Sequence, residues 1–356
     1  MSPIVKNISG LRFLLLVAMY FFMDIFLFAQ PFSMKGQLWA GGESIEGQSD
    51  FMSQLGYIPN VSAYYELSHG RMIDLEWAYR LDRSYIGDSV AVHHAKPYRG
   101  WLRYSTEDVD IRLGLQKISF GPAQVLRPLA WFDTIDLKNP TDQTDGIEAF
   151  RLRFFPSNSL ALWTWVMKSE SDTLSYGGRG EMSTNLGEWG FTLHQDPTKT
   201  SQLVGQFPVL IAGPHTRIGL DFRYDGFLGF WFESTGFFTE NQEILSEDRH
   251  SLMTLGADYT LPLGTGLLIM SETLRSEGWS SKTNATTSNQ TISAFMISLP
   301  LGMFHHFMFI SNLDWDENNS YNYLRWSSTY DSFSINCMVS INPNEMGNSL
   351  QLMLIY

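Results

Sequence analysis

The chain has 356 residues, of which 17% are charged and 14% aromatic, and its formal net charge is −13. A mean hydropathy of −0.12 excludes a bundle of membrane helices, yet the charged fraction lies below the ~25% of ordinary soluble domains. A single cysteine excludes a disulfide framework and a cysteine metal site, and the acidic balance excludes the basic surface that a nucleic-acid partner requires.

The N-terminal residues predict a secretory signal. Lys6 and Arg12 precede an apolar run from Phe13 to Ala29, which is the order of the basic and hydrophobic regions of a signal peptide. The sequence therefore predicts export, with residues 1–29 as the signal peptide and residues 30–356 as the mature domain.

The mature domain consists of successive alternating segments of roughly ten residues each. In Arg71–Arg80, the side chains of Ile73, Leu75 and Trp77 fall on one face. The charged residues Asp74 and Glu76 fall on the other face. A period of two is typical of a β-strand with one apolar face, and about ten residues let a tilted strand cross a bilayer. We count about 18 such segments.

Short and long connections alternate between these segments. Turns such as Asp225-Gly226 carry the residue types that tight hairpins require. The long connections include residues 43–59, 82–97 and 119–146. Bacterial outer-membrane barrels have short turns at one end and long loops at the other. The sequence therefore predicts an all-β fold, a transmembrane up-and-down antiparallel β-barrel of about 16–18 strands.

The two faces of the predicted strands differ in polarity. One face carries charged residues and glycine, and the other carries Leu, Phe, Trp and Tyr. We interpret the apolar face as a lipid-facing band and the polar face as the wall of a charged, water-filled lumen. Aromatic residues near the segment ends predict girdles at the membrane interfaces, and these residues are Trp39, Tyr79, Tyr98, Trp189, Tyr224, Tyr259 and Tyr356.

The last segment of the sequence also favours a barrel. Leu350, Leu352, Leu354 and Tyr356 occupy alternate positions, as in a strand with one apolar face. A strand needs a partner on both edges, and a sheet that closes on itself supplies one by pairing the last strand with the first. An ordinary edge strand is the alternative.

The stretch Arg112–Phe155 contains a strand, a loop and a returning strand with distinctive residues. An Arg-x-Gly-x-Gln strand is followed by Phe120-Gly121, by Asn139-Pro140 and by a strand that carries Arg151 and Arg153. With this pattern and its aromatic last residue, the mature chain resembles Gram-negative outer-membrane porins and porin-like β-barrels.

The resemblance implies a location in the bacterial outer membrane, with lipid and lipopolysaccharide around the barrel. It implies that the barrel-assembly machinery reads the strand that ends at Tyr356, and it leaves room for a homo-oligomer. It also implies that the third extracellular loop, residues 119–146, folds inward and narrows the pore. A loop that covers the outer mouth is the alternative.

Charged residues around this loop predict a constriction with two signs of charge. The basic side lies on the predicted lumen faces of consecutive strands and comprises Arg99, Arg103, Arg112, Arg151 and Arg153. The acidic side lies in the loop and comprises Asp133, Asp136, Asp142 and Asp145. Opposed charges across a constriction would orient dipolar solutes and sort ions. Arg–Asp pairs that only pin the loop are the alternative.

The predicted strand number bounds the function. About 16–18 strands leave an aqueous channel, so we expect passive diffusion of small hydrophilic solutes or ions. A closed or gated barrel that exports or anchors a surface polymer, or that acts as an adhesin, is the alternative. The sequence has neither a Gly-x-Ser-x-Gly nor a His-Glu-x-x-His motif, so we expect no enzyme, no cofactor and no metal site.

Overall fold

The computed structural model describes residues 32–168, 173–198, 200–204, 207–211, 213–239, 247–281, 283–343 and 346–356. The predicted signal peptide, residues 1–29, lies outside the described residues. Among the residues that are described, no helix is long and apolar enough to cross a membrane.

The described residues form twenty β-strands. In chain order they are β1 (Phe32–Ile45), β2 (Met52–Glu66), β3 (Met72–Ile86), β4 (Ser89–Ser105), β5 (Val109–Gln116), β6 (Ile147–Ser157), β7 (Leu160–Lys168), β8 (Leu174–Thr184), β9 (Gly187–Asp196), β10 (Thr200–Val204), β11 (Phe207–Ile211), β12 (His215–Asp225), β13 (Gly229–Thr239), β14 (Arg249–Leu261), β15 (Leu267–Ser280), β16 (Ala285–Leu301), β17 (His305–Asp314), β18 (Asn319–Thr329), β19 (Ser334–Ile341) and β20 (Ser349–Ile355).

Eighteen of the strands in the described residues form one closed antiparallel barrel. The strands from β1 to β9 and from β12 to β20 pair in chain order, β9 pairs with β12, and β20 returns to pair with β1. Trp39 of β1 lies opposite Ile355 of β20 at this seam. β10 and β11 form a separate hairpin. The predicted all-β up-and-down barrel is therefore confirmed, with eighteen strands among the described residues.

Several strands extend well beyond the predicted segments. β1 to β4 are 14, 15, 15 and 17 residues long. The predicted long connections 43–59 and 82–97 are therefore wrong, because only residues 46–51 and 87–88 separate the paired strands. Hydrophobic alternation marks only the part of a strand with an apolar face, so a polar continuation of the same strand reads as a loop.

The outward-facing side chains form an apolar band. Trp77 of β3 and Phe191 of β9 are each 49% exposed, and Leu255 of β14 is 46% exposed. Large apolar side chains around the whole circumference are unfavourable in water and favourable against lipid tails. The outer surface is therefore that of a membrane-spanning barrel.

One part of the inner wall is apolar, whereas the sequence predicts a charged, water-filled lumen. The apolar inward-facing side chains of β15 to β20 and β1 form one buried cluster, which includes Met270, Met296, Met308, Ile310, Met338, Met353 and Trp39. Val125 and Leu137, from the connection between β5 and β6, pack against this cluster. Strand periodicity shows which face is more polar, but it does not show which strands meet an inserted loop.

Two of the aromatic residues predicted for the girdles face the interior instead. Trp39 is only 3% exposed, and its indole lies over Gly56, where a Cβ atom would overlap the ring. Tyr98 occupies a β-bulge, since Arg99 pairs with Ala78 while Pro97 already pairs with Tyr79. The bulge turns the phenol inward, where its hydroxyl accepts a hydrogen bond from Thr144 N at 3.2 Å.

Candidate pore constriction

The connection between β5 and β6, residues 117–146, enters the barrel, and we call it the lumen loop. Its residues Gln124, Val125 and Leu126 donate backbone hydrogen bonds to Glu272 of β15. Around the ring, β15 lies eight strands from β5, through β6, β7, β8, β9, β12, β13 and β14. A loop that starts at β5 and contacts β15 must therefore cross the lumen.

Further along, the lumen loop contacts the remaining sector of the wall. Tyr323 of β18 donates its hydroxyl proton to Lys138 O at 2.5 Å. Gln37 Nε2 of β1 donates to Thr141 O at 3.0 Å, and Arg99 Nη2 of β4 donates to Thr144 O at 2.7 Å. These contacts fix the loop at several points around the wall, rather than at its two ends alone.

An aromatic cluster fixes the first part of the lumen loop against the strands beside it. Phe120 stacks on Trp165 of β7 with ring centroids 5.3 Å apart, and Phe132 meets His194 of β9 edge-to-face at 4.9 Å. Trp131 Nε1 donates to Thr235 Oγ1 of β13 at 3.2 Å. Leu129 lies so close to β12 that a Cβ atom on Gly219 would overlap it.

The five arginines of the predicted basic side are on the inner wall of β4, β5 and β6. Arg103 lies opposite Arg112, which in turn lies opposite Arg151, so the three form a row across adjacent strands. Alternate residues of each strand face inward. Arg153 is therefore the next inward-facing residue after Arg151 on β6, and Arg99 is the second inward-facing residue before Arg103 on β4. Alternation on three neighbouring strands is sufficient to bring these side chains together.

Only part of this positive charge is neutralised by the wall. Arg103 binds Asp74 at 2.5 Å, and Asp110 lies 3.5 Å from Arg103 and 3.4 Å from Arg151. Arg153 reaches Glu181 only at 3.9 Å, and Glu181 pairs with Arg179 at 2.8 Å.

Arg112 is the guanidinium with the fewest partners in this row. Its guanidinium carbon lies 4.3 Å from the centroid of the Trp101 ring, and its buried Nε has no hydrogen-bond partner among the described residues. Arg153 stacks in the same way on Trp163, at 3.9 Å from the ring centroid. Indole faces hold guanidinium groups without neutralising them. Among the described residues, Arg112 is therefore an arginine of this wall without a close ion-pair partner, although Asp74, Glu76 and Asp110 lie near it.

The aspartates of the lumen loop lie apart from these arginines. Asp133 pairs with Arg127 inside the loop, and Asp145 pairs with Lys96 of β4 at 3.1 Å. Asp136 accepts a hydrogen bond from Lys138 N at 2.9 Å, and Asp142 has a φ of 51°. Among the residues that the structure describes, none of the four lies within ion-pair distance of the five arginines.

Two of these loop aspartates allow a matched comparison. Asp133 and Arg127 are both buried, whereas Asp145 is half exposed. Asp133→Asn leaves the Arg127 charge buried without its partner, which should cost about 3 kcal/mol of loop stability. Asp145→Asn should cost no more than about 1 kcal/mol, because it breaks an exposed pair.

Limited trypsin digestion of the folded barrel checks this prediction at the Lys138–Asn139 bond. Cleavage of a transiently open loop follows the population of the open form. We expect Asp133→Asn to accelerate the cut by roughly a hundredfold and Asp145→Asn to change it less than about tenfold. Equal rates for the two variants would show that the buried pair does not hold the loop.

Two cavities lie along the inner wall, and the lumen loop lines the first of them. One of about 970 Å³ is lined by Phe120, Arg179, Glu181, Asp221 and Arg223, among others. Another of about 550 Å³ lies along β1 to β4, and its lining includes Lys35, Gln37, Asn60, Asp74, Glu76 and Trp101. Open space therefore remains inside the barrel beside the first part of the lumen loop.

Three comparisons with known proteins bear on this architecture. No protein-family model and no curated protein sequence matches the chain. Among solved structures, OccK2 (OpdF) of Pseudomonas aeruginosa, in complex with glucuronate, matches with a TM-score of 0.62 and 8% identity over 92% of this chain and 96% of that one. The chain has the porin fold.

Other outer-membrane porins share the fold at similar distances in sequence. OccK5 (OpdH) of Pseudomonas aeruginosa matches with a TM-score of 0.58 and 8% identity over 92% of this chain and 97% of that one. OmpF of Salmonella typhi, in complex with daunomycin, matches with a TM-score of 0.53, also at 8% identity and over 92% and 97% of the two chains. The class-level resemblance drawn from the sequence is thereby confirmed for the fold.

Three residues that hold the lumen loop in place were not predicted from the sequence to do so. Glu233 and Glu272 are fully buried where the lumen loop meets the wall, although alternation alone marks them as ordinary lumen charges. Arg127, the partner of Asp133, lies in a loop without periodicity. Only the arrangement of Arg127 six residues before Asp133 hints at a local pair. Among the described residues, no group of three or more His, Cys, Asp or Glu is placed to hold a metal ion.

Proposed function

We propose that this barrel lies in the outer membrane of a Gram-negative bacterium and lets small hydrophilic solutes diffuse through its lumen. The observation that carries the proposal is the lumen loop, which crosses the interior and leaves a cavity of about 970 Å³ beside it. An eighteen-stranded ring is wide enough for an aqueous channel. The porin fold and the apolar outer band support the same reading.

We further propose that the channel favours anions. Arg103, Arg112, Arg151 and Arg153 lie together on one stretch of the wall, and Arg112 has no ion pair among the described residues. Guanidinium groups stay charged and bind carboxylates or phosphates through two parallel hydrogen bonds. Fixed positive charge beside a narrow passage raises the local concentration of anions and lowers that of cations.

The test is the conductance of the refolded mature protein, residues 30–356, in a planar bilayer under a salt gradient. We expect a steady ohmic current whose reversal potential has the sign of anion selectivity. A slower mobility of the heated than of the unheated protein on a gel would verify that the barrel has folded. A folded barrel that carries no current would contradict the channel and favour the closed anchor or export barrel.

A further inference from the structure

Two carboxylates on the wall hold the lumen loop in place. Glu233 of β13 accepts hydrogen bonds from Ala123 N at 3.0 Å and from Leu129 N at 2.5 Å. Glu272 of β15 accepts from Gln124 N at 2.7 Å, Val125 N at 3.0 Å and Leu126 N at 2.7 Å. Five backbone N–H groups of the loop therefore donate hydrogen bonds to two side chains.

The surroundings of these carboxylates set them apart from ordinary wall charges. Both are 0% exposed, and within the described part of the chain neither makes an ion pair. Apart from the loop, Glu272 accepts only the indole N–H of Trp231, at 3.1 Å, among the hydrogen bonds of the described residues. A buried carboxylate without a cation must be stabilised by hydrogen-bond donors, and here the loop backbone supplies them.

The loop backbone is shaped to fit. Three successive N–H groups of Gln124, Val125 and Leu126 converge on Glu272, and Thr254 Oγ1 of β14 donates to Leu126 O at 2.8 Å. Gly121 has a φ of 82°, and a Cβ atom there would overlap Glu233 Oε2. Glycine is thus required where the chain passes over the carboxylate.

We propose that Glu233 and Glu272 are the positioning residues that set the width of the pore. They fix residues 123–129 against the β13–β15 wall, whereas the arginine wall of β4 to β6 lies on the other side of the loop. While the carboxylate oxygens accept these hydrogen bonds, the loop stays on the β13–β15 wall. Without them, the loop moves into the passage between that wall and the arginine wall. This role rests on the proposed channel function, but the attachment itself can be tested without any current.

The test compares Glu272→Gln with Glu277→Gln in the folded full barrel. The amide has nearly the shape of the carboxylate, but it replaces one acceptor oxygen with an NH₂ donor that faces the backbone N–H groups. Glu277 lies on the same strand, is exposed and pairs with Arg275 at 2.6 Å, so its substitution is the matched control. The attachment is read from the labelling rate of Ala123→Cys in a Cys337→Ser background, because Ala123 is 4% exposed.

We expect Glu272→Gln to accelerate labelling at position 123 about tenfold, which corresponds to about 1.4 kcal/mol. It should also raise single-channel current noise and lower mean conductance, because the released loop moves into the passage, whereas a loss of global stability alone would not change the current through barrels that remain folded. Glu277→Gln should leave all three unchanged. Equal labelling in the two variants would overturn the proposal.

A second variant keeps the proposal testable if Glu272→Gln fails to fold. Glu233→Gln keeps the side-chain shape and replaces one of the oxygens that accept the Ala123 and Leu129 N–H groups. It should accelerate the same labelling by a smaller factor, and an unchanged rate would overturn the proposal. If the unaltered barrel passes no current while labelling responds as expected, the channel function fails and the attachment stands.

Discussion

Replacing residues 118–145 with an Asn-Gly pair is expected to raise the single-channel conductance on the order of twofold or more, because the widest obstacle inside the ring is removed. Gln116 and Ile147 are paired neighbours on β5 and β6, so Lys117, the Asn-Gly pair and Gly146 form a short hairpin turn. The measurement is conductance at a single salt concentration, with gel mobility to verify folding.

The extent of the deletion matters. Removing only residues 127–143 would join Leu126, held at β14 and β15, to Thr144, held at β4 on another side of the lumen. That variant would pull one attachment apart and would not report on an open pore. Removal of the hairpin β10–β11 is the control, since it shortens a different connection. Unchanged conductance after replacement of residues 118–145 would refute the constriction.

The triple variant Arg112→Gln, Arg151→Gln and Arg153→Gln is expected to change the anion-to-cation permeability ratio about tenfold towards cations. Removal of these three charges leaves Asp74, Glu76 and Asp110 against Arg99 and Arg103 on this stretch of wall. The sign of the wall potential should therefore reverse locally. The reversal potential in a salt gradient measures the change directly.

A control with the same change in net charge separates the lumen from the rest of the barrel. Arg71 lies in a turn, and Arg249 and Arg275 are exposed. Substituting these three with Gln removes the same charge but leaves the arginine wall intact. If this control moves the reversal potential as far as the triple variant does, the arginines of β4 to β6 are not the selectivity filter.

The strand architecture is predictable from the sequence because its signal is local. Alternation within each segment fixes which residues face inward, and this alone is enough to place Arg103, Arg112 and Arg151 on one wall. The ring closure follows from the same logic, since the alternating last strand needs a partner. The signal is lost where β-bulges interrupt the alternation, as at Ala78/Tyr79 and Ser84/Tyr85 in the pairing of β3 with β4.

The attachments of the lumen loop are beyond the reach of sequence patterns. Glu272 binds backbone N–H groups that lie 146 to 148 positions earlier in the chain, and backbone groups carry no residue-specific signal. The sequence predicts that Asp133 faces the arginine wall. In the structure Asp133 instead forms an ion pair with Arg127, six residues earlier in the same loop. The opposed-charge constriction therefore remains a prediction, and the arginine wall has its acidic partners on β3, β5 and β8 instead.

The seam between β1 and β20 determines when the molecule can finish folding. Asn348 Nδ2 donates to Glu46 Oε2 at 2.7 Å across 302 positions of the chain. Contacts this distant in sequence carry a large loop-closure entropy and form slowly. Until they form, β1 and β20 each present an open row of N–H and C=O groups beside apolar side chains, which is a template for aggregation. The chain therefore has to be protected from aggregation until its last strand reaches the first.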